Sequence, residues 1–294
     1  MSNNNTNNNY LFQNLLMVYR VLFVALLMFA MTGCTSMMFF PLKKHLVEPK
    51  EFGVNYSDVY FSTTDELTLH GWLLPATTEK KGTVIFFHGN AQNISTHTAA
   101  VYWLPAHGYD VFAVDYRGYG KSEGESELKG IIEDVGISIK YAVDNFKGEQ
   151  PFIVMGQSLG ASLTVYPVAN STVKAQISGL ILVSGFSDFR KISRDVLARG
   201  WLTWLFQWPL SWTINNTYSP VQHIALLDPL PIAFLASRDD EVIPFEHTLE
   251  LQQAYPNHST LIELSGGHND MFHDENNREL LLKAIDKITS HETH

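Results

Sequence analysis

The chain contains the stretch Pro151-Phe152-Ile153-Val154-Met155-Gly156-Gln157-Ser158-Leu159-Gly160, followed by the segment Ala161 to Tyr166. Its first half is an apolar run typical of a buried strand, and the segment after it has the character of a helix. Ser158 stands between two glycines where the strand gives way to the helix. Such a serine is typical of a nucleophile elbow, a sharp and strained turn that exposes the side chain. Glycine is needed at both flanks because a Cβ there would clash with neighbouring backbone.

A serine hydroxyl is a poor nucleophile at neutral pH and needs a base that is itself oriented by a carboxylate. After an elbow of this kind the acid comes next in sequence, and the histidine follows the acid. Two later β-type runs end in loops that carry these groups, at Asp239-Asp240 and at Gly267-His268-Asn269. Both loops follow the carboxyl ends of predicted strands, where open α/β sheets place their sites. We therefore predict Ser158 as the nucleophile, His268 as the base and Asp240 as the acid, with Asp239 as the alternative acid.

A further loop is expected to stabilise negative charge on the substrate. One oxyanion donor is predicted to be the backbone N–H of Leu159, which follows the nucleophile. The other is predicted to come from the loop after the apolar run 82–87, at Asn90 or Ala91. Fixed donors aimed at a developing oxyanion are often the largest single contribution to rate. We expect His88 and Asp115 to hold loops together and to take no part in proton transfer.

The order of elements predicts the fold class without any motif. Two alternating segments, Val54 to Tyr60 and Leu67 to Leu74, predict an early hairpin. Apolar strands then alternate with helical patterns, which predicts an α/β fold with a mostly parallel sheet covered on both faces. The predicted strands are Val84–Phe87, Val111–Asp115, Phe152–Met155, Leu180–Val183, Ile232–Ala236 and Leu261–Leu264.

Over roughly residues 54–290 the chain resembles the α/β-hydrolase superfamily. It is most similar to the branch of serine-aminopeptidase-like and monoacylglycerol-lipase-like enzymes and α/β-hydrolase-domain depalmitoylases. This resemblance implies an α/β-hydrolase fold with a small helical cap at about residues 186–230, a catalytic serine and no cofactor. It does not select a reaction, because members include esterases, lipases, thioesterases and peptidases. The motifs that carry it are His88-Gly89-Asn90-Ala91, Asp115-Tyr116-Arg117-Gly118-Tyr119-Gly120-Lys121-Ser122, Gly156-Gln157-Ser158-Leu159-Gly160, Asp240-Glu241-Val242-Ile243-Pro244 and Gly267-His268-Asn269-Asp270.

The predicted cap is rich in tryptophan. Four of the six tryptophans of the chain lie there, and their spacing predicts one helical face that Pro209 must bend or end. In one interpretation the cap is an apolar lid that binds an acyl chain or touches a bilayer, a place that tryptophan favours. In the other, which we favour, it is a helix packed on the core. The four residues are Trp201, Trp204, Trp208 and Trp212.

The amino-terminal residues predict export and anchoring. A run of apolar residues from Val21 to Ala30 is shorter than the about 20 residues of a membrane span and fits the core of a signal peptide. The following Met31-Thr32-Gly33-Cys34 resembles a bacterial lipobox, so we predict a signal peptide at 1–33, lipidation of Cys34 and a tether at 34–53. The protein would then sit in a bacterial cell envelope, on the periplasmic side of the outer membrane. An uncleaved anchor helix over residues 11–31 is the alternative.

The amino-acid composition of the chain indicates which kinds of binding partner are unfavourable. The formal net charge is −10 with dispersed acidic residues, which argues against a nucleic-acid partner because that needs clustered Lys and Arg. Cys34 is the only cysteine, so neither a disulfide within the chain nor a cysteine metal site can form. We expect no metal at His268 and its neighbour His273 either, because His268 has a better role as the base.

These features together predict a membrane-anchored serine hydrolase that cleaves esters or thioesters through an acyl-enzyme on Ser158. Its substrate would be a small molecule or a lipid-like acyl compound. One alternative is a serine aminopeptidase-like peptidase, in which an acid such as Glu241 would hold the free amine. Another is a non-catalytic envelope lipoprotein, whose signature would be a missing triad residue. No such residue is missing.

Overall fold

A computed structural model describes residues 17, 20, 38–146 and 151–290. The predicted signal peptide lies outside these residues apart from Met17 and Arg20, and the predicted lipidation site Cys34 lies outside them too. No helix in the described ranges combines the length and the apolar character needed to cross a bilayer.

The described residues form one central sheet. Its strands are β1 (Ser57–Ser62), β2 (Thr68–Leu74), β3 (Gly82–Phe87), β4 (Tyr109–Asp115), β5 (Phe152–Gln157), β6 (Ile177–Val183), β7 (Ile232–Ser237) and β8 (Ser259–Leu264). They lie side by side in the order β1-β2-β4-β3-β5-β6-β7-β8. Strand β2 is antiparallel to β1 and β4, and every other neighbouring pair is parallel. The mostly parallel α/β sheet predicted from the sequence is confirmed.

Helices connect the strands. The α-helices of the described part are α1 (Ile94–His97), α2 (Leu128–Asn145), α3 (Leu159–Ala169), α4 (Phe189–Ala198), α5 (Gln207–Trp212), α6 (Pro220–His223), α7 (Phe245–Ala254) and α8 (Glu275–Ser290). Short 3₁₀ helices lie at Pro49–Phe52, Thr98–Ala100, Leu104–His107, Lys174–Gln176, Trp204–Phe206, Ile224–Leu227 and Met271–His273.

Both faces of the sheet are covered. In β5, Val154 joins a core formed with α2, α3 and α7, whereas Ile153 and Met155 join a second core formed with α8 and the segment 94–104. All residues of β5 are buried, as expected for a central parallel strand. Burial of apolar surface contributes about 25 cal/mol per Å². Because apolar side chains are buried on both faces of the sheet, the central strands are stabilised and their carboxyl ends are fixed at one edge of the sheet.

The first strand lies later in the chain than predicted. The sequence pattern predicts a strand from Val54 to Tyr60, but β1 runs from Ser57 to Ser62. Val54 and Tyr56 are only partly buried, against the core on the α8 side, and they precede the strand. Their apolar character thus reflects packing before the strand begins.

The cap differs from the favoured interpretation, because its tryptophans are not packed on the core. Trp201 is 85% exposed, and Trp204, Trp208 and Trp212 are each more than half exposed. The single helical face is also wrong, because a 3₁₀ turn and the short α5 replace one continuous helix. Pro209 does not end α5 but lies in its first turn, where a missing N–H breaks no helical hydrogen bond.

Candidate active site

Ser158 lies at the sharp turn between β5 and α3. Its backbone angles are φ 55° and ψ −118°, and this positive φ is strained for a residue with a side chain. The Ser158 N–H donates to the Val183 carbonyl at 2.7 Å and thereby holds the turn against β6. A Cβ on Gly156 would lie 2.5 Å from the Cα of Ala161, and one on Gly160 would lie 2.6 Å from the His88 carbonyl oxygen. Both glycines are thus a steric requirement of the elbow.

Three of the predicted site residues form a continuous hydrogen-bonded chain. His268 Nε2 lies 2.9 Å from Ser158 Oγ, and His268 Nδ1 lies 2.7 Å from Asp240 Oδ2. All three side chains are buried at the carboxyl edge of the sheet, on the loops after β5, β7 and β8. Asp239, the alternative acid, is exposed and forms no hydrogen bond with His268 among the described contacts.

Asp240 is held in the orientation and charge state that a triad acid needs. Its second oxygen, Oδ1, accepts the backbone N–H groups of Val242 and Ile243, each at 2.8 Å. Burial alone would raise the pKa of Asp240. The hydrogen bond with His268 and the two N–H donors outweigh burial and keep the pKa below its usual value. The carboxylate is therefore ionised at neutral pH and can stabilise a protonated His268.

The predicted oxyanion loop lies against the nucleophile. A Cβ placed on Gly89 would be 3.4 Å from the Cβ of Ser158, so this backbone passes the serine at contact distance. The Ala91 N–H is already used, because it donates to Asn90 Oδ1 at 2.8 Å. The N–H groups of Asn90 and Leu159 donate to no acceptor within the described residues. Asn90 is therefore the better of the two predicted donors from this loop.

The Asn90 side chain is a clamp that the sequence pattern did not indicate. Its Oδ1 also accepts the Phe40 N–H at 3.1 Å and the Tyr119 hydroxyl at 3.0 Å, and its Nδ2 donates to the Met38 carbonyl. The backbone of Leu42 extends the contact by donating to Gln92 at 2.9 Å. The segment 38–42, inside the predicted tether, thus holds the oxyanion loop. Only folding brings together residues that lie about 50 positions apart.

His88 and Asp115 occupy the loop-holding positions predicted for them. His88 Nδ1 lies 2.7 Å from the Gly89 carbonyl oxygen, and the Asp115 carboxylate accepts the Ile94 N–H at 2.9 Å. Burial lowers the pKa of His88 to about 4, so its ring is neutral at pH 7. Burial would raise the pKa of Asp115, but the hydrogen bond from His45, the nearby His70 ring and the Ile94 N–H bring it down to about 2.

One group of side chains in the described part of the chain has the composition of a metal site. His45, His70 and Asp115 bring one potential ligand atom each to within 4.8 Å of one another. His45 Nε2 and Asp115 Oδ2 already share a direct hydrogen bond of 3.0 Å, which an ion between them would break. We therefore describe the group as a hydrogen-bonded pair of His45 and Asp115 with the His70 ring beside it, its Nδ1 lying 3.7 Å from Asp115 Oδ2.

Two cavities differ in their relation to the site. One of about 320 Å³ lies beside the elbow and is lined by Asn90, Gln157 and Asn269 among others. A larger one of about 1090 Å³ lies at the amino ends of β6, β7 and β8, with Ser178, His258 and Lys287 in its lining. The larger cavity is at the opposite edge of the sheet from Ser158 and does not belong to this site.

Comparison with known proteins finds relatives in sequence and in structure. Residues 78–220 match the family model for serine aminopeptidase, S33. The chain is 30% identical over 223 residues to the uncharacterized protein YfhR of Escherichia coli O157:H7, covering 74% of each. It is 27% identical to the alpha/beta hydrolase domain-containing protein WAV2 of Arabidopsis thaliana, over 70% of this chain and 68% of that one. The esterase Pf2001 of Pyrococcus furiosus superimposes with a TM-score of 0.70 at 20% identity, over 85% of this chain and 98% of that one.

Proposed function

The chain belongs to the α/β-hydrolase superfamily, and on that basis we propose that it is a membrane-anchored serine hydrolase that cleaves carboxylic esters or thioesters. The observation that carries this proposal is the hydrogen-bonded chain from Ser158 through His268 to Asp240. It lies beside two backbone N–H groups that have no other acceptor among the described residues. A nucleophile, a base, an orienting acid and an oxyanion site are the parts that acyl transfer requires.

Each part has a defined step in the proposed reaction. Ser158 Oγ attacks the acyl carbon while His268 Nε2 takes its proton, and the Leu159 and Asn90 N–H groups stabilise the oxyanion. His268 then gives the proton to the departing alcohol or thiol, which leaves the acyl group on Ser158. Water activated by the same imidazole releases the acid and restores the serine. Asp240 keeps the proton of the neutral imidazole on Nδ1 and stabilises the charged form.

The proposed membrane attachment rests on the amino-terminal sequence and on the exposed tryptophans of the cap. We propose that Cys34 carries the lipid and that the domain lies on the periplasmic side of the bacterial outer membrane. Met38, four residues after Cys34, accepts a hydrogen bond from the side chain of Asn90, which belongs to the loop beside the nucleophile. The exposed tryptophans of the cap add an apolar surface of the kind that favours a bilayer interface. We propose that the active-site face is turned towards lipid and that the substrate is a lipid-like acyl compound.

A peptidase is the second candidate, and one observation favours it. Glu241 Oε2 accepts the His268 backbone N–H at 3.2 Å, so a carboxylate stands close to the triad. Such a carboxylate could bind the free amine of a peptide, in keeping with the name of the family model. Cleavage of aminoacyl p-nitroanilides with no cleavage of esters would favour this activity over the esterase.

Labelling with a fluorophosphonate probe tests the proposal directly. We expect the full-length protein to react and the Ser158→Ala variant to lose the label, because only an activated serine attacks phosphorus. Turnover of p-nitrophenyl esters, read from acetate to palmitate, should fall by about 10⁴-fold or more in the variant. A folded wild-type protein that takes up no label would exclude a serine hydrolase and leave the non-catalytic lipoprotein.

A further inference from the structure

The cavity of about 1090 Å³ lies at the amino ends of β6, β7 and β8, on the edge of the sheet away from Ser158. Its volume is comparable to that of the largest small-molecule sites, which span about 300–1,000 Å³ and are lined mainly by apolar side chains. Ile262 of β8 and Leu280 of α8 both line it, and both are only partly buried although they pack on the core. The cavity thus has an apolar wall that a ligand could cover.

The charged side chains at this cavity are mainly cationic, in a protein whose formal net charge is −10. Three lysines belong to the lining, Lys174, Lys283 and Lys287. Asp228 is the only carboxylate among the described lining residues, and it is paired with His258 at 2.9 Å. The lining therefore carries a surplus of positive charge, which favours an anionic group.

Two of these lysines are fixed at the cavity without an ion pair. Lys174 Nζ donates to the Leu226 carbonyl at 2.6 Å, and Lys287 Nζ donates to Thr260 Oγ1 at 2.8 Å. These acceptors are neutral, and neither ammonium group forms an ion pair with a carboxylate of the described residues. An ammonium group has three donors, so both lysines keep N–H groups that a ligand can use.

Ser178 supplies an independent sign of a ligand. It is the extra residue of a bulge in β6, because Phe152 pairs with Ile177 while the next residue, Ile153, pairs with Gly179. Bulges often re-aim a side chain beside a functional site. Ser178 belongs to the cavity lining and is only 5% exposed, and its Oγ has no hydrogen-bond partner within the described residues. A buried hydroxyl without a partner is unfavourable, and a carboxylate on a ligand would accept its proton.

The hydroxyl and the cations border the same part of the cavity. A Cβ on Gly179, the residue after Ser178, would lie 2.5 Å from Ile288 Cγ2, so α8 touches β6 at this point. Lys287 directly precedes Ile288, and Lys174 belongs to the 3₁₀ helix that leads into β6. The carboxylate of one ligand would meet these groups together.

From these observations we propose that the cavity binds a long-chain carboxylate. Its chain lies against Ile262 and Leu280, and its carboxylate is held by Ser178, Lys174 and Lys287. A neutral lipid would leave the lysines uncompensated, and an inorganic anion would leave the apolar wall uncovered. This inference goes beyond the proposed esterase function, because the cavity shares no lining residue with the triad.

Photoaffinity labelling of the full-length protein tests the proposal. The probe is a laurate analogue with a diazirine on its chain, and the modified peptides are mapped by mass spectrometry. We expect label in the segments 171–178, 257–262 and 280–288, and we expect laurate to compete for it. Dodecanol should compete at least about tenfold more weakly because it lacks the charge. Octanoate should weaken by about three- to fourfold for each methylene group that it lacks, and inorganic phosphate should not compete.

Substitution of the two lysines tests the anion-binding groups. Lys174→Gln combined with Lys287→Gln should lower labelling of the cavity by about fivefold or more. The matched control combines Lys129→Gln with Lys140→Gln at exposed positions of α2, changes the net charge equally and should label as the wild type does.

Two results on the wild-type protein would overturn the proposal whether or not the variants fold. One is label confined to the loops around Ser158, and the other is equal competition by dodecanol or by phosphate. Equal loss of label in the lysine variant and in its control would overturn the role of the two lysines. Because binding is measured and turnover is not, these outcomes are distinct from a failure of the esterase function.

Discussion

Gly160 has contacts that leave no room for any side chain. Its Cα packs on the end of β3, where an added Cβ would meet the carbonyl oxygens of Phe87 and His88. Those carbonyls belong to the last residue of β3 and to the first residue of the oxyanion loop that follows it. The elbow and the loop are therefore in direct contact at this glycine, and their relative position depends on the absence of a side chain at Gly160.

We predict that Gly160→Ala lowers both stability and activity. Overpacking of this kind costs typically about 1–3 kcal/mol, and any relief must shift the oxyanion loop or the serine. The control is Gly136→Ala in α2, where the nearest atom to an added Cβ is 3.7 Å away. There alanine should raise stability by up to about 1 kcal/mol through helix propensity and leave turnover unchanged. Urea unfolding and p-nitrophenyl ester kinetics measure both effects, and equal behaviour of the two variants would contradict the steric argument.

At the scale of elements, the cap contrasts with the rest of the molecule. Its stretch from Trp201 to Trp212 has eight large apolar side chains exposed, whereas Trp72 and Trp103 of the main domain are buried. Arg194 of α4 lies 4.8 Å above the ring of Trp208, so a cation borders this apolar surface. Large contiguous exposed apolar surfaces are rare on soluble monomers and mark places of contact.

We predict that the cap tryptophans contribute to activity at lipid surfaces and little to folding. Trp201→Ala and Trp212→Ala should change the free energy of unfolding by no more than about 0.5 kcal/mol, because both side chains are exposed. Buried Trp103→Ala, the comparison, should cost about 3–5 kcal/mol. Hydrolysis of long-chain esters in vesicles should fall several-fold in the double cap variant, while soluble short-chain esters are cleaved as before. An equal loss on both substrates would speak against a bilayer contact.

At the scale of the whole molecule, the alternation of strands and helices along the sequence predicts the sheet. The residue types that follow the strands predict which loops meet at the site. Ser158, Asp240 and His268 could be chosen from sequence because each follows a strand of the same parallel sheet. Asp240 is preferred to Asp239 from the sequence as well, and in the structure it is Asp240 that forms the hydrogen bond with His268. The clamp on Asn90 could not be predicted, since contacts with the segment 38–42 follow no local pattern. The prediction that the cap packs on the core was wrong because the spacing of its tryptophans is equally compatible with a buried or an exposed face.

Global stability is expected to depend on pH through the buried histidines. The pKa of His88 falls from 6.5 unfolded to about 4 folded, so below pH 6.5 the unfolded chain takes up a proton that the folded protein does not. The free energy of unfolding should therefore decrease from pH 6.5 to 4, by about 3 kcal/mol for this residue. His97, whose pKa burial also lowers, acts in the same direction. Asp115 keeps its stabilising contribution across this window, which is lost only below its unfolded pKa of 3.8, towards about 2.

Urea unfolding at several pH values measures this decrease. His88→Gln should flatten the dependence on pH even if it lowers stability overall, whereas His107→Gln at an exposed position should leave the slope as it is. A slope in His88→Gln equal to that of the wild type would show that the ring does not stay neutral in the folded protein.

The clamp on Asn90 would give the proposed tether a second role. In the segment 38–42, the Met38 carbonyl accepts from Asn90 and the Phe40 N–H donates to it. With the lipid on Cys34 as proposed, a protease that cut between Phe40 and His45 would release the domain and, in the same event, remove Met38 and Phe40, the partners of Asn90. If the proposed anchor holds the protein at a membrane, the same cut would therefore release the enzyme and inactivate it.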